Sequence, residues 1–205
     1  MARPVFRKVS ADTERRLVHL DRDRPLVEAA LREPARFDAL YRKYLAQVYS
    51  YAFYELGDHH DAEDATERTF LAALAALPRF RERATADDGD DASTFKVWLF
   101  RIARNAIAER RRSLRRHPEA TLDAVASARS STDVEAIAVR DEAAAEAWQA
   151  VAALPEDRRA AVVLRFVHEL STAEIAAILG RLEGAVRVLI HRGLRRVAEQ
   201  LGEPR

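Results

Sequence analysis

The segment STAEIAAILGRLEGAVRVLIHRGLRRV, residues 171–197, determines how the C-terminal part of this chain folds. Ser171 and Glu174 have the spacing of a capping box, in which a hydroxyl and a carboxylate three residues later cap a helix start. Gly180 suits the left-handed position that ends this short helix. A second amphipathic helix begins about three residues later. We predict a helix-turn-helix, two short helices joined by a tight turn that contains glycine.

The second helix of this motif separates apolar positions from basic ones. Its core-facing positions, which share one helix face, are Val186, Ile190, Gly193 and Val197. The opposite side and its flanks carry Arg187, His191, Arg192, Arg195 and Arg196. Arginine grips phosphates and reads guanine edges in the major groove, so this face favours DNA binding. The alternative is a solvated face on an ordinary helical bundle.

The composition favours a helical, globular chain with unevenly distributed charge. Its 205 residues are 48% apolar and 33% charged, with only 6 glycines and 7 prolines. The net charge of +1 implies no polyanionic partner, but it conceals basic segments at 101–116 and 181–196 and an acidic one at 82–91. The distribution of charge, and not its total, therefore indicates where such a partner would bind.

Several classes of protein are disfavoured. The absence of cysteine excludes disulfides, thiolate catalysis and cysteine-bound zinc. No apolar run approaches the roughly 18 residues that span a bilayer, so we expect no membrane insertion. The start of the chain, MARPVFRKVSADTERR, lacks the apolar region of a signal peptide. We expect a cytoplasmic protein without a cofactor.

Apolar periodicity predicts an all-α fold of two helical domains joined by a flexible linker, with the helix-turn-helix in the C-terminal domain. We assign residues 1–24 to an extension, 25–114 to the first domain, 115–139 to the linker and 140–205 to the second domain. The predicted helices cover 25–33, 35–56, 59–77, 95–114, 133–154, 155–170, 171–180 and 182–201. The helix at 35–56 places Phe37, Leu40, Tyr41, Tyr44, Val48, Tyr51 and Ala52 on one face.

The stretch GDHHDAEDATERTF, residues 57–70, raises the question of a metal site. His60 and Asp64 are four residues apart, as are His59 and Glu63, so each pair could share a helix face. Two ligands make a poor site, because metal centres in proteins use three or more convergent ligands. Asp58 as a helix cap, followed by acids in the first turns, explains the stretch better. We predict no metal site.

The helix at 95–114 combines aromatic side chains with a basic end. Aromatic residues beside arginines suit single-stranded nucleic acid, since bases stack while phosphates are neutralised. The alternative is that Phe95, Trp98 and Phe100 belong to the core, and for Trp98 this alternative is favoured.

Five motifs in order carry a resemblance to a known family: FDALYRKYLAQVYSYA, DAEDATERTFLAAL, WLFRIARN, ALPEDRRAAVVLRFV and STAEIAAILG followed by EGAVRVLIHRGLRRV. Over residues 25–112 and 140–201 the chain resembles a bacterial RNA polymerase sigma factor of the sigma-70 family, in the small extracytoplasmic-function (ECF) group that keeps only regions two and four. The resemblance implies a transcription initiation factor that is not an enzyme. It implies core RNA polymerase as a partner, through the beta-prime clamp helices and the beta flap, together with promoter DNA. Small sigma factors of this kind are often held by an anti-sigma factor.

The resemblance also implies roles for individual residues. The minus-10 element would be opened and held by Arg101, Arg104, Asn105, Arg111 and Arg112. The minus-35 element would be read by Glu183, Arg187, His191, Arg192 and Arg195. Docking on the polymerase would use Asp64, Glu67 and Arg68. The loop at 80–95 would capture a flipped base, and the linker would thread the polymerase channel.

The chain departs from the family pattern at several positions. Glu67 replaces a usual glutamine and Glu109 a usual aspartate, and the acidic stretch 82–91 resembles an insertion in the base-capture loop. In the recognition helix, usually polar or basic positions are occupied by Leu182, Ala185, Val188 and Leu189. The helix thereby loses a cap worth about 1 kcal/mol, and we expect fewer minus-35 contacts.

Two alternatives from other classes remain at this point. The first is a stand-alone helix-turn-helix regulator, which leaves residues 37–112 unexplained. The second is a metal-dependent His-Asp hydrolase built on residues 59–64.

Overall fold

The computed structural model describes residues 20–88, 90, 92–116 and 142–202, without the side chains of 86 and 142–145. The helices in this part of the chain are α1 (Arg24–Arg32), α2 (Phe37–Leu56), α3 (His59–Ala76), α4 (Phe95–Arg116), α5 (Glu142–Ala152), α6 (Glu156–Phe166), α7 (Thr172–Leu179) and α8 (Glu183–Gln200). The same residues contain no strand, only an isolated bridge between Asp21 and Ser93. The predicted all-α fold is confirmed. Three predictions concern segments outside the described residues. These segments are the part of the extension up to residue 19, the part of the linker from 117 to 139, and the helical turns predicted at 133–141.

Helices α2, α3 and α4 form the core of what we call the N-terminal unit, residues 20–116. From α2, Leu40, Tyr44, Val48 and Tyr51 are almost completely buried, as their spacing predicts. Helix α3 contributes small residues to the same core, so the helices can approach closely. Tyr41 was expected on the buried face but is 39% exposed, because it lies at the edge of this face against Phe70.

The residues predicted to end α2 and to cap α3 do so in the structure. The Asp58 carboxylate accepts a hydrogen bond from the backbone N–H of Asp61 at 2.9 Å, which caps α3. Gly57 ends α2 with a left-handed φ of 76°. Helix α4 continues to Arg116, two residues beyond its predicted end.

Helices α5 to α8 form the C-terminal unit, residues 142–202, which contains the predicted helix-turn-helix. Ser171 and Glu174 cap α7 reciprocally, with N···O distances of 3.2 and 2.8 Å. Gly180 ends α7 with a φ of 64°. Val186 is fully buried, and the backbone of α8 at Gly193 lies against the Val162 side chain of α6. Leu182 precedes α8 without a side-chain cap, as expected.

The two units pack against each other, α7 on α4 and α6 on α2. His168, in the turn between α6 and α7, lies against the rings of Tyr51 and Phe100 from the N-terminal unit. Tyr54 stacks on Trp148 with ring centroids 4.4 Å apart. We call this arrangement of the two units the closed arrangement.

Candidate nucleic-acid and polymerase interfaces

The exposed side of α8 carries the residues predicted to read the minus-35 element. The side chains of Arg187 and Arg195 are 67% and 56% exposed, and each pairs with an acid one turn away on the same helix, Glu183 or Glu199, at 3.1 Å. His191 and Arg192 are also exposed. Exposed pairs within a helix contribute only about 0.3–0.5 kcal/mol, so both arginines can exchange these acids for phosphates at little cost.

Helix α4 divides the residues predicted to hold the minus-10 element into two groups. Arg101, Asn105 and Arg112 are exposed and share one face, and Arg104 is half-buried beside them. Arg111 lies elsewhere, because its side chain is only 12% exposed in the closed arrangement.

Arg111 is held by carboxylates from both units. Its guanidinium lies 2.6 Å from the Glu55 carboxylate and 3.0 Å from Glu156 of the C-terminal unit. Arg159 of α6 also approaches Glu55, at 3.6 Å. Burial raises the pKa of the Glu55 carboxyl, against the lowering effect of Arg111 and Arg159. The buried positive charge of Arg111 therefore joins the two units and is not available to DNA in the closed arrangement.

The loop at 80–95, which we call the capture loop, is organised around Glu82. This carboxylate accepts hydrogen bonds from the backbone N–H of Ala84 at 3.0 Å and of Thr94 at 2.8 Å, and from the hydroxyls of Ser93 and Thr94. Burial alone would raise the pKa of Glu82, but these donors outweigh it and lower the pKa. The Glu82 carboxylate thus has a structural role in the acidic stretch and closes the loop onto the start of α4.

The first residue of α1 and the chain just before it brace the capture loop from outside. Arg24 donates to the carbonyls of Ala92 at 3.1 Å and of Ala84 at 2.9 Å. The backbone N–H of Ser93 donates to the Asp21 carbonyl at 2.9 Å. Sequence reasoning missed these residues. Ser93 and Thr94 directly before a helix were a capping signal, but nothing local indicated Arg24 or Glu82.

An open groove of about 530 Å³ lies between α2 and α3. Its floor is apolar, and its exposed edge includes Leu71, Leu74 and Tyr41, which are 59%, 41% and 39% exposed. Asp64 and Glu67, two of the predicted docking residues, line the same groove. The third, Arg68, is exposed on α3 and does not line it.

The side chains of the histidine-rich stretch contact the neighbouring helices α2 and α4. His59 packs on the Phe53 ring with centroids 4.5 Å apart, and its Nδ1 hydrogen-bonds the Tyr49 hydroxyl. Arg110 of α4 neutralises the acids that follow, at 2.5 Å from Asp61 and 3.7 Å from Asp64. Among the described residues no three histidine, aspartate or glutamate side chains converge as metal ligands.

This combination defines a class of protein. One unit is a capped helix-turn-helix with a cationic second helix. The other carries a basic face on α4, a braced loop and an open apolar groove. It is a two-unit helix-turn-helix protein with two exposed basic faces, on α8 and α4, and an open apolar groove between α2 and α3.

Comparison with known proteins identifies the family. The Sigma-70 region 2 family matches residues 40–117, and the Sigma-70 region 4 family matches residues 144–197. The chain is 34% identical over 181 residues to the ECF RNA polymerase sigma factor SigL of Mycobacterium tuberculosis, covering 86% of this chain and 97% of that one. It is 36% identical over 173 residues to the ECF RNA polymerase sigma factor BldN of Streptomyces coelicolor, covering 82% of this chain and 61% of that one. The chain belongs to the ECF family of RNA polymerase sigma factors.

Two solved structures share the fold. CnrH, in complex with the cytosolic domain of CnrY, superimposes with a TM-score of 0.61 at 24% identity, covering 90% of this chain and all of that one. The sigma factor RpoE of Bartonella quintana, in complex with the anti-sigma factor NepR, gives a TM-score of 0.59 at 23% identity, with coverages of 82% and 98%. No helix among the described residues is long and apolar enough to cross a membrane.

Proposed function

We propose that this sigma factor directs core RNA polymerase to its promoters by reading the minus-35 element as duplex with α8 and holding the melted minus-10 element with α4 and the capture loop. The observation that carries this proposal is the exposed cationic side of α8 in a helix-turn-helix whose first helix, α7, has a complete capping box. The sigma factor itself catalyses nothing and acts in the cytoplasm with the polymerase, which supplies the chemistry.

Duplex readout rests on the shape and charge of the C-terminal unit. Helix α7 would cross the DNA backbone while the first turns of α8 enter the major groove, the geometry of helix-turn-helix proteins. Arg187, His191, Arg192 and Arg195 would contact phosphates or base edges there, with Glu183 at the helix start. The arginine–phosphate contacts would make promoter binding fall steeply with salt.

Strand capture rests on the position of the capture loop beside α4. Arg101, Arg104, Asn105 and Arg112 would hold the phosphates of the melted strand. Glu82 fixes the loop backbone at the start of this helix, so a flipped base would enter a preformed site. Preorganisation of this kind lowers the cost of ordering a loop on binding.

Polymerase docking would use the open groove of the N-terminal unit. A groove with an apolar floor, exposed leucines and an acidic rim fits a protein partner of basic and apolar character. We assign it, with Asp64, Glu67 and Arg68, to the beta-prime clamp helices, and the C-terminal unit to the beta flap. An anti-sigma factor would be a further partner. Of the two solved structures that share the fold, RpoE is bound to the anti-sigma factor NepR, and CnrH is bound to the cytosolic domain of CnrY.

Promoter recognition requires the two units to separate. The minus-35 and minus-10 elements are about 25 base pairs apart, which is about 85 Å of duplex. In the closed arrangement α7 packs directly on α4, so the two reading surfaces cannot reach both elements. The 25 residues from 117 to 141, between the ends of α4 and α5, could reach about 80–90 Å if fully extended, enough for this span. Separation would also release Arg111 from Glu156 and leave it paired with Glu55 of its own unit.

Separate variants test the assignment of surfaces. Arg104→Ala or Arg187→Ala should weaken promoter use and leave binding to core polymerase unchanged. Asp64→Ala should weaken binding to core. Affinity for core polymerase and run-off transcription would be measured for each variant. Equal loss of core binding in both classes would contradict the assignment.

A further inference from the structure

Val188 occupies an unusual place for an apolar residue. It is 46% exposed, whereas Val186, two residues earlier, is fully buried. Successive residues of a helix are about 100° apart, so Val188 points almost directly away from the core of the helix-turn-helix. It therefore lies at the centre of the side of α8 that we assign to DNA.

The surroundings of Val188 are cationic. Arg187 precedes it, His191 and Arg192 follow one turn later, and Arg195 lies two turns along the same side. An apolar protein surface would have to bury these charges to reach the valine, which is costly. The major groove offers the matching pattern, because phosphates line its edges and thymine presents a C5 methyl group on its floor.

Gly184 lies one turn before Val188 on the same side. A Cβ there would meet nothing within 4 Å, so packing within the protein does not require glycine. Its φ is not in the left-handed region, so the backbone does not require it either. Gly184 lies in the first turn of α8, and its one local effect there is to leave the surface of the helix flat beside Val188.

We propose that Val188 reads the C5 methyl group of a thymine in the minus-35 element, and that Gly184 lets α8 approach the groove floor closely enough for this contact. The inference rests on the proposed function of α8 and adds a specificity determinant to it. The arginines would supply phosphate and guanine contacts, and Val188 would select an A·T pair at one position.

The test uses the full chain with core polymerase. Active promoters are first selected from a library randomised across the minus-35 region. In the selected sequence, synthetic templates then replace each minus-35 thymine singly with deoxyuridine, which lacks only the methyl group. At one of these positions, loss of the thymine methyl group should reduce transcription about fourfold. This factor corresponds to the roughly 0.8 kcal/mol that burial of a methyl-sized group contributes.

Three variants identify the residue that reads the methyl group. In Val188→Ala the thymine-to-uracil ratio at that position should fall towards one, because the two γ-methyl groups that would reach the thymine methyl are removed. Val188→Thr keeps a methyl group at the same place and should retain most of the ratio. Arg187→Ala should lower transcription from both templates equally and preserve the ratio. Binding to core polymerase is measured for all three and should not change.

The possible results separate this inference from the proposed function. Absence of transcription from every template with the wild-type chain would count against the sigma-factor mechanism itself. Transcription with no effect of deoxyuridine at any position would overturn the role of Val188 alone. A thymine-to-uracil ratio that survives in Val188→Ala would also overturn it, because another residue would then read the methyl group.

Discussion

His168 of the C-terminal unit packs edge-on against Phe100 of the N-terminal unit, with ring centroids 5.0 Å apart and ring planes at 66°. The Tyr51 ring lies on another side of the imidazole at 5.8 Å. The turn that carries His168 has an uncommon backbone conformation, because the next residue, Glu169, adopts a left-handed φ of 54°. Burial, with a smaller contribution from Lys96, lowers the pKa of His168 from 6.5 to about 4.

The closed arrangement should therefore weaken in acid. Once the units separate, His168 regains an ordinary pKa near 6.5, whereas in the closed arrangement it stays neutral down to about pH 4. The stability of the closed arrangement is complete above pH 6.5 and falls as the pH drops towards 4, by up to about 3 kcal/mol. Glu55, whose pKa is raised by burial, opposes this effect at the acid end. Small-angle scattering should show a larger radius of gyration at pH 5 than at pH 7.5.

The control for this pH dependence is His168→Phe, which keeps an aromatic ring and cannot take up a proton. It should remain closed across the same pH range. Opening of His168→Phe at the same pH as the wild type would assign the transition to another group.

Glu55 should be important for stability, because it pairs with a buried charge. Glu55→Ala leaves Arg111, whose side chain is 12% exposed, without its nearest carboxylate. Breaking a buried pair from one side costs about 3 kcal/mol, which thermal denaturation would detect as a lower Tm. Asp38→Ala is the matched control, because its pair with Arg42 is exposed on both sides. We expect Asp38→Ala to change stability by less than about 0.5 kcal/mol. Equal effects of the two substitutions would contradict a buried role for Glu55.

Two glycines of α8 should respond oppositely to alanine. At Gly193 a Cβ would lie 2.8 Å from Cγ2 of Val162, so Gly193→Ala should destabilise the C-terminal unit by about 1–3 kcal/mol. At Gly184 a Cβ meets open space, so Gly184→Ala should stabilise the helix by up to about 1 kcal/mol. Chemical denaturation of both variants measures these changes. A stabilising Gly193→Ala would show that α8 and α6 are not in close contact.

Glu82 should control capture of the melted strand. Glu82→Ala removes the acceptor for the backbone N–H groups of Ala84 and Thr94, so the capture loop loses its fixed shape. Transcription should fall about tenfold, the order of effect expected when about 1.4 kcal/mol of preorganisation is lost. The affinity for core polymerase should stay the same. Asp87→Ala removes a charge from the exposed part of the same loop and should not reduce transcription. A similar loss in both variants would indicate that the loop acts through its charge and not through its shape.

The sequence predicted those features of the fold that depend on neighbouring residues. The capping box of Ser171 and Glu174, the glycine ends at Gly57 and Gly180, and the cap at Asp58 all rely on contacts within four residues, and all are present. The periodicity of α2 predicted its buried face except at Tyr41, which lies at the edge of the apolar stripe.

Features that depend on distant contacts could not be predicted. Arg110 and Asp61 are 49 residues apart, and Arg111 and Glu55 are 56 apart. From charge alone, Arg111 was indistinguishable from the exposed Arg112, yet it is buried between two carboxylates in the closed arrangement. His168 was predicted near the end of the helix at 155–170, whereas this helix ends at Phe166, and nothing in the sequence indicated that His168 would contact two rings of the other unit. The roles of the predicted DNA-contacting and docking residues stay predictions.

Run-off transcription with core polymerase, this chain and a pooled library of random promoters, with sequencing of transcript starts, tests the central claim most directly. We predict starts preceded by a shared minus-35 and minus-10 pair at a fixed spacing, lost when Arg187 and Arg104 are both replaced by alanine. A stable complex with core polymerase that produces no shared promoter sequence would contradict the proposed reading of DNA by α8 and α4.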